Sequence, residues 1–167
     1  AAAMTLVSGT IAVSDPDANA DFYTGGAGSI TVSLDGYQSG DTLEVLHQGT
    51  GAAQIGVSGS AISYGNVAFA SFTGGAAANL VITFTGTTAT PAAVQALIGQ
   101  LRFSNSSNDD PTANGTDPSR VFTVTLNDGG NTKDGGSQTA ALTASVTGTI
   151  IITAVNEVPV VAAGGTL

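Results

Sequence analysis

Apolar and polar residues alternate with a period of two along most of this chain, in short segments rich in valine, isoleucine and threonine. Such alternation places successive side chains on opposite faces of an extended backbone and is typical of β-strands with one buried face. Clusters of Gly, Asn and Asp with turn chemistry separate the segments. The sequence therefore predicts an all-β sandwich, with strands at 4–13, 28–34, 41–48, 53–59, 61–74, 79–86, 101–105, 120–128 and 137–156.

One segment, TATPAAVQALIGQL, has a helical pattern instead. Thr90 is a favourable N-cap, and Pro91 suits the first helical position. An apolar face then follows with helical spacing at Val94, Leu97, Ile98 and Leu101. We expect a short helix at about residues 91–100 that connects two strands of the sandwich.

Charge is sparse and negative, with 12 acidic residues, 3 basic residues and a net charge of −9 in 167 residues. The basic residues Arg102, Arg120 and Lys133 are scattered, so the chain offers no basic surface for nucleic acid. It also has no polybasic segment and no apolar run long enough for membrane insertion. Small and hydroxyl-bearing residues replace charges, which favours a secreted, extracellular surface protein, and the absence of cysteine excludes disulfides and thiolate metal sites.

Acidic residues are concentrated in the stretch SDPDANADFY, where Asp15, Asp17 and Asp21 lie on alternate positions with Asn19. Residues two apart in an extended segment project to the same side, so Asp15 and Asp17 can bind one ion. Too few basic residues exist to neutralise these acids, whereas Ca²⁺ takes six to eight such oxygen ligands. The stretch is not an EF-hand loop, since Ala20 stands at the glycine position. The alternative is an ordinary solvated turn.

Two further acidic groups are less specific. Asp128 and Asp134 in NDGGNTKDGG are candidate metal ligands, but a glycine-rich hairpin tip would have the same composition. For Asp109, Asp110 and Asp117 we favour a polar loop without a ligand.

The C-terminal stretch VNEVPVVAAGGTL follows the longest predicted strand. Residues 158–167 resemble a further strand without a partner in the chain, and an unpaired strand edge is a liability unless something pairs with it. We therefore expect residues 1–157 to form the sandwich and residues 158–167 to pair with a neighbouring repeat or another copy of the chain.

Several motifs together resemble the cadherin-like repeats of large bacterial cell-surface proteins and adhesins. They occur in order along nearly the whole chain: VSDPDANADF, GSITVSL, GDTLEV, AQIGVSGSAISYGNVAFASFTGG, NLVITF, TPAAVQALIGQLRFSNSS, RVFTVTLNDGG and ITAVNEVPV. The resemblance implies an extracellular, calcium-binding β-sandwich repeated head to tail. It also implies Ca²⁺ at junctions between modules, with ligands from Asp15, Asp17 and Asp21 of one module and from the linker residues Asn156 and Glu157 of the preceding one. Asp128 is expected near the same end as the first group.

The chain is cut out of phase with that repeat, because PVVAAGGTL resembles the opening strand of a next module. An excised fragment would explain this. So would a subunit whose tail completes the next copy by strand addition, which would produce a filament.

Two other functional classes are open to test. An enzyme is not expected, because His47 is the only histidine, lies at a predicted strand end, and stands without any catalytic motif. A carbohydrate-binding module that recognises surface glycans would use Tyr23 or Tyr37 as an aromatic platform. The sequence favours an extracellular structural or adhesive module, rigidified by calcium and assembled head to tail. The alternatives are a single extender repeat of a giant adhesin and the carbohydrate-binding module.

Overall fold

A computed structural model describes residues 3–14, 28–85, 88–106, 111–129 and 143–153. This part of the chain contains one helix and ten strands in two antiparallel sheets, which confirms the predicted all-β sandwich with a short connecting helix. The elements are β1 (Met4–Thr5), β2 (Ser29–Leu34), β3 (Asp41–Val45), β4 (Ile55–Ser58), β5 (Ala61–Tyr64), β6 (Val67–Gly74), β7 (Leu80–Phe84), α1 (Pro91–Ile98), β8 (Leu101–Asn105), β9 (Ser119–Asn127) and β10 (Thr143–Ile151).

The larger sheet has the strand order β10-β9-β2-β7-β6-β5-β4, and the smaller sheet has the order β1-β8-β3. The two sheets are joined on one side, where the Leu43 N–H of β3 donates to the Gly75 carbonyl at 2.8 Å and Thr42 bridges Ala76. On the opposite side the outer strands are β1 and β10. The sandwich is therefore closed along β3 and has a seam along β1 and β10.

The core forms from the inward-facing residues that the alternation predicts. Ile30 and Val32 of β2 are fully buried, and the rings of Phe69 and Phe84 stack with their centroids 6.4 Å apart. Helix α1 buries its predicted apolar face on this core. Thr90 caps the helix as expected, since its side-chain oxygen accepts from the Ala93 N–H at 3.3 Å. The helix ends at Ile98, two residues earlier than expected, because β8 begins at Leu101.

Two predicted strands were wrong in their extent. Of the segment 4–13, only Met4 and Thr5 form a strand with β8, and the backbone bends directly after them at Leu6 and Val7. The segment 61–74 is two strands joined at Gly65 and Asn66, whose φ values of 56° and 67° are those of a tight hairpin turn.

The strand register defines two ends of the sandwich. At the helical end, Ser29 pairs with Asn127, Asn127 pairs with Thr143, and Ile98 of α1 shares a cleft with Leu126. At the opposite end, called the arginine end below, β9 begins at Ser119, opposite Ile151 of β10.

Candidate assembly edge and junction ends

The predicted calcium ligands fall mostly outside the described residues. Asp15, Asp17, Asp21, Asp134, Asn156 and Glu157 all do so, as do Tyr23 and the predicted strand 158–167. Asp128 is described: it follows β9 at the helical end and is half-buried. Beside it, the Gly129 N–H donates to the Asn127 side-chain oxygen at 2.8 Å. Within the described ranges, no three His, Cys, Asp or Glu residues are grouped so that they could hold a metal ion.

A buried polar cluster lies at the arginine end and links the two sheets. Arg120 of β9 and Asp41 of β3 form an ion pair, with 2.8 Å between Nε and Oδ2 and no exposed side-chain surface on either residue. Asn105 of β8 donates from Nδ2 to the other Asp41 oxygen at 2.7 Å. The Gln38 N–H donates to Asp41 Oδ2 at 2.8 Å. Asp41 is therefore paired and hydrogen-bonded, as a buried carboxylate requires.

The same arginine holds the loop that precedes β9. Its Nη2 donates to the Pro111 carbonyl at 3.0 Å, and its Nη1 donates to the Asp117 carbonyl at 3.0 Å. Asp117, expected to be a plain loop acid, also forms an ion pair with Arg120 at 3.1 Å and accepts from Gln38 Nε2 at 3.0 Å. The loop in turn holds the end of β10, because the Ile152 N–H donates to the Pro118 carbonyl at 2.9 Å. The chain thus leaves β10 from a point anchored by Arg120.

Sequence reasoning missed this cluster, although the alternation contained a signal for it. Arg120 occupies the same inward-facing series as Phe122 and Val124 on β9. Asp41 and Asn105 likewise continue the buried series of β3 and β8. A charged residue at a core-facing position is rarely buried unless it is paired. Opposite charges at the inward positions of two strands therefore predict a buried pair.

The two outer strands of the seven-stranded sheet differ in how their edges are protected. Strand β4 has only four residues, and side chains cover its outer amides. The Ile55 N–H donates to Gln48 Oε1 at 3.0 Å, and the Val57 N–H donates to His47 Nδ1 at 2.8 Å. His47 therefore caps a strand edge. Since Nδ1 accepts this bond, neutral His47 carries its proton on Nε2.

Strand β10 has nine residues and, in the described part of the chain, pairs only with β9. The Ile152 N–H faces β9, so by the alternation of an antiparallel ladder the N–H groups of Thr147 and Thr149 face the outer edge. The register agrees: Val121, the partner of Thr149, exchanges hydrogen bonds with Asp35 on its far side. Strand β10 contains no charge and no proline, the usual devices that block pairing at an edge.

The seam beside β10 is partly open to solvent and apolar. The Phe122 ring covers Gly148 in the middle of β10, where an added Cβ would lie 2.5 Å from the ring. A cleft of about 160 Å³ on the helical side is lined by Ile98, Leu126 and Val146, and Val146 is 46% exposed. A cleft of about 90 Å³ on the arginine side is lined by Met4, Phe103 and the end of β10.

Tyr37, the candidate sugar platform, is packed against the core and bonded within the fold. Its hydroxyl donates to Asn79 Oδ1 at 2.9 Å and accepts from the Leu34 N–H at 3.3 Å. Partial burial raises the pKa of this hydroxyl above 10.0.

Comparison with known proteins gives no relative: no family model, no curated protein and no solved structure matches the chain. The cadherin-like resemblance stays a prediction from the sequence. The described residues hold no helix of a length and hydrophobicity that could cross a lipid bilayer.

Proposed function

We propose that this chain is an extracellular structural or adhesive module that assembles head to tail and is rigidified by Ca²⁺ at its junctions. The observation that carries the proposal is that the chain leaves β10 at the end of the sandwich opposite to Asp128. Asp128 follows β9 at the helical end, whereas Asn156 and Glu157 follow the chain's exit from β10 at the arginine end.

The length of β10 gives the distance between the two ends of the sandwich. The distance from Asp128, next to the start of β10, to Thr153, beyond its end, is roughly 30 Å at about 3.3 Å per residue. Glu157 follows Thr153 by four residues, which span at most about 14 Å. Asp128 and Glu157 of one copy are thus too far apart to ligate one ion. A site that uses both ends therefore needs two copies or two successive repeats.

The described flanks of the first acidic group support the same arrangement. Asp15 directly follows Ser14, and the preceding Val13 N–H donates to Gln95 of α1 at 3.4 Å. On the other side of the group, Gly28 directly precedes the start of β2. Both flanks therefore belong to the helical end, together with Asp128. Acids at one end and an Asn–Glu linker leaving the other end suit a junction between consecutive modules.

Calcium binding is tested by thermal unfolding in 2 mM Ca²⁺ and in excess EGTA. The variants are Asp15→Asn/Asp17→Asn and, as a matched control, Asp109→Asn/Asp110→Asn from the predicted polar loop. Asp109 and Asp110 also lie outside the described residues. Calcium at about 100 times its Kd adds about 2.7 kcal/mol to the stability, or roughly 5–10 °C in Tm for a domain of this size. We expect this rise in the wild type and the control and its loss in the first variant. Equal Tm values with and without calcium in the wild type would refute the calcium site.

Assembly is tested by light scattering on the full chain and on a chain that ends at Glu157, both in calcium. Large particles from the full chain only would support head-to-tail assembly through residues 158–167. A calcium-dependent rise in Tm with monomers throughout would favour the alternative, an extender repeat of a larger adhesin. No described contact favours the carbohydrate-binding alternative, since the Tyr37 hydroxyl is engaged within the fold.

A further inference from the structure

We infer that the outer edge of β10 is the acceptor for residues 158–167 of a second copy, which add to it as a further strand of the seven-stranded sheet. The inference rests on the proposed head-to-tail function and names the surface through which it operates. It starts from the unequal protection of the two edges of one sheet.

An outer strand invites pairing wherever its main-chain groups face solvent. The chain covers the β4 edge with two side-chain acceptors, Gln48 and His47. In the described residues the longer β10 edge has no such cover. Its outward amides, which include those of Thr147 and Thr149, offer a ladder for an added strand. Six of its nine residues are threonine, valine or isoleucine, which favour β-structure.

The chain's own C-terminal segment fits this edge in length and charge. Extended residues 158–167 would span about 33 Å, close to the roughly 30 Å of β10. Neither segment contains a charged residue, so their pairing buries no unpaired charge. Apolar residues of the added strand would also extend cover over the open cleft at Val146, which is 46% exposed.

The sequence between the two segments favours a second copy over the same copy. Folding back onto its own β10 would require a reversal within residues 154–157, AVNE, directly after Thr153. This stretch has no glycine for a tight hairpin. In addition, Val158 precedes Pro159, which favours extended backbone there. The tail is therefore assigned to the β10 edge of a neighbour.

The sharpest test removes one outward amide and keeps the fold. Thr147→Pro deletes an N–H that faces away from β9, and an outer strand tolerates proline at such a position. Thr147→Val is the matched control, because it keeps the N–H and the β-branched shape. Light scattering on full chains in calcium should show large particles for the wild type and Thr147→Val, and their loss for Thr147→Pro at a similar Tm.

A second measurement gives an answer even if Thr147→Pro does not fold. The chain contains no cysteine, so a chain with Thr147→Cys can be mixed with one carrying Val160→Cys, Val161→Cys or Ala162→Cys. Directly paired strands bring Cα atoms within about 4.5–5.5 Å, which suits a disulfide. With oxidised glutathione, we expect covalent dimers in at least one mixture, well above the yield of either chain alone.

The outcomes separate this inference from the proposed function. If the chain ending at Glu157 stays monomeric while Thr147→Pro still assembles, the tail has another acceptor, and only the inference fails. If Thr147→Cys alone forms dimers as readily as the mixtures, β10 pairs with β10 and the inference is overturned. A single chain that carries both Thr147→Cys and Val160→Cys tests the folded-back tail. If the wild type is monomeric and this chain closes a disulfide within itself, the inference and the proposed head-to-tail assembly both fail.

Discussion

Replacing Arg120 with methionine should destabilise the fold more than any other replacement of a basic residue among those described. Methionine fills much of the arginine volume but leaves the Asp41 carboxylate with only the Gln38 N–H and the Asn105 amide as donors. It also removes the guanidinium donor to the Pro111 carbonyl. The expected loss is large because the Asp41 side chain has no exposed surface through which water could replace the cation.

The magnitude follows from the class of interaction. Removing one partner of a buried ion pair leaves an uncompensated charge and costs about 3–5 kcal/mol. For a chain of 167 residues, each kcal/mol lowers Tm by about 2–4 °C. Arg120→Met should therefore lower Tm by roughly 6–20 °C. The measurements are thermal and urea unfolding followed by circular dichroism, in EGTA so that metal binding does not contribute.

Arg102→Met is the matched control. Arg102 lies on β8 facing outward, and its guanidinium donates to the Gly99 and Leu101 carbonyls at 3.0 and 3.1 Å. Its replacement should cost about 1 kcal/mol or less. The double variant Asp41→Asn/Arg120→Met removes both charges of the buried pair, so it should lose less than the sum of the single variants. An Arg120→Met variant as stable as Arg102→Met would refute the reasoning.

Three further predictions concern the β10 seam, the β4 edge and the Tyr37 hydroxyl. Gly148→Ala should lower the free energy of unfolding in urea by about 1–3 kcal/mol, since the added Cβ would overlap the buried Phe122 ring. Gly36→Ala is the control, because a Cβ at Gly36 would have no atom within 4 Å. Equal stabilities of the two variants would contradict the packing of Phe122 on Gly148. His47→Ala should change stability by under about 1 kcal/mol but uncover the Val57 N–H, so light scattering should show added lateral association; an unchanged particle size would contradict edge capping. Burial raises the pKa of the Tyr37 hydroxyl above its unfolded value of 10.0, so the contribution of this hydroxyl to stability is complete below pH 10 and falls as pH rises through the folded pKa. Tyr37→Phe should remove this part of the stability loss at alkaline pH, measured by urea unfolding in a pH series. An identical pH dependence in the wild type and the variant would contradict the prediction.

Local patterns predicted the parts of the fold that depend on local rules. The threonine cap and proline start of α1 are short-range signals, and the burial of β2, β3, β7 and β8 alternates as the sequence predicts. The segment after Thr5 was mispredicted because its alternation continues, although the backbone bends at Leu6 and Val7 and the strand ends there. Periodicity alone does not report a single backbone angle.

The buried cluster and the capped edge depend on contacts between distant residues. Asp41 and Arg120 lie 79 positions apart, so only the strand order brings them together. The sequence predicts His47 at a strand end, but it does not predict the partner Val57, since that requires knowing that β4 is an outer strand. Most of the predicted calcium ligands lie outside the described residues and stay a prediction.

In the proposed assembly, a force on the connection between two copies is transmitted to the region that the buried ion pair holds. A tail that pulls on the chain beyond Thr153 loads β10 along its length, and β10 is registered with β9 over nine residue pairs. Such a load is shared by many hydrogen bonds of the β9–β10 ladder. The hydrogen bond nearest to the pulled end is the one from the Ile152 N–H to the Pro118 carbonyl. Peeling would begin there, and Arg120 holds the Pro118 loop through the Pro111 and Asp117 carbonyls. Apolar packing of similar volume often stabilises a fold as much as a buried ion pair does, or more. At this position, however, the ion pair fixes the loop that holds the end of β10, where a head-to-tail filament would fail first.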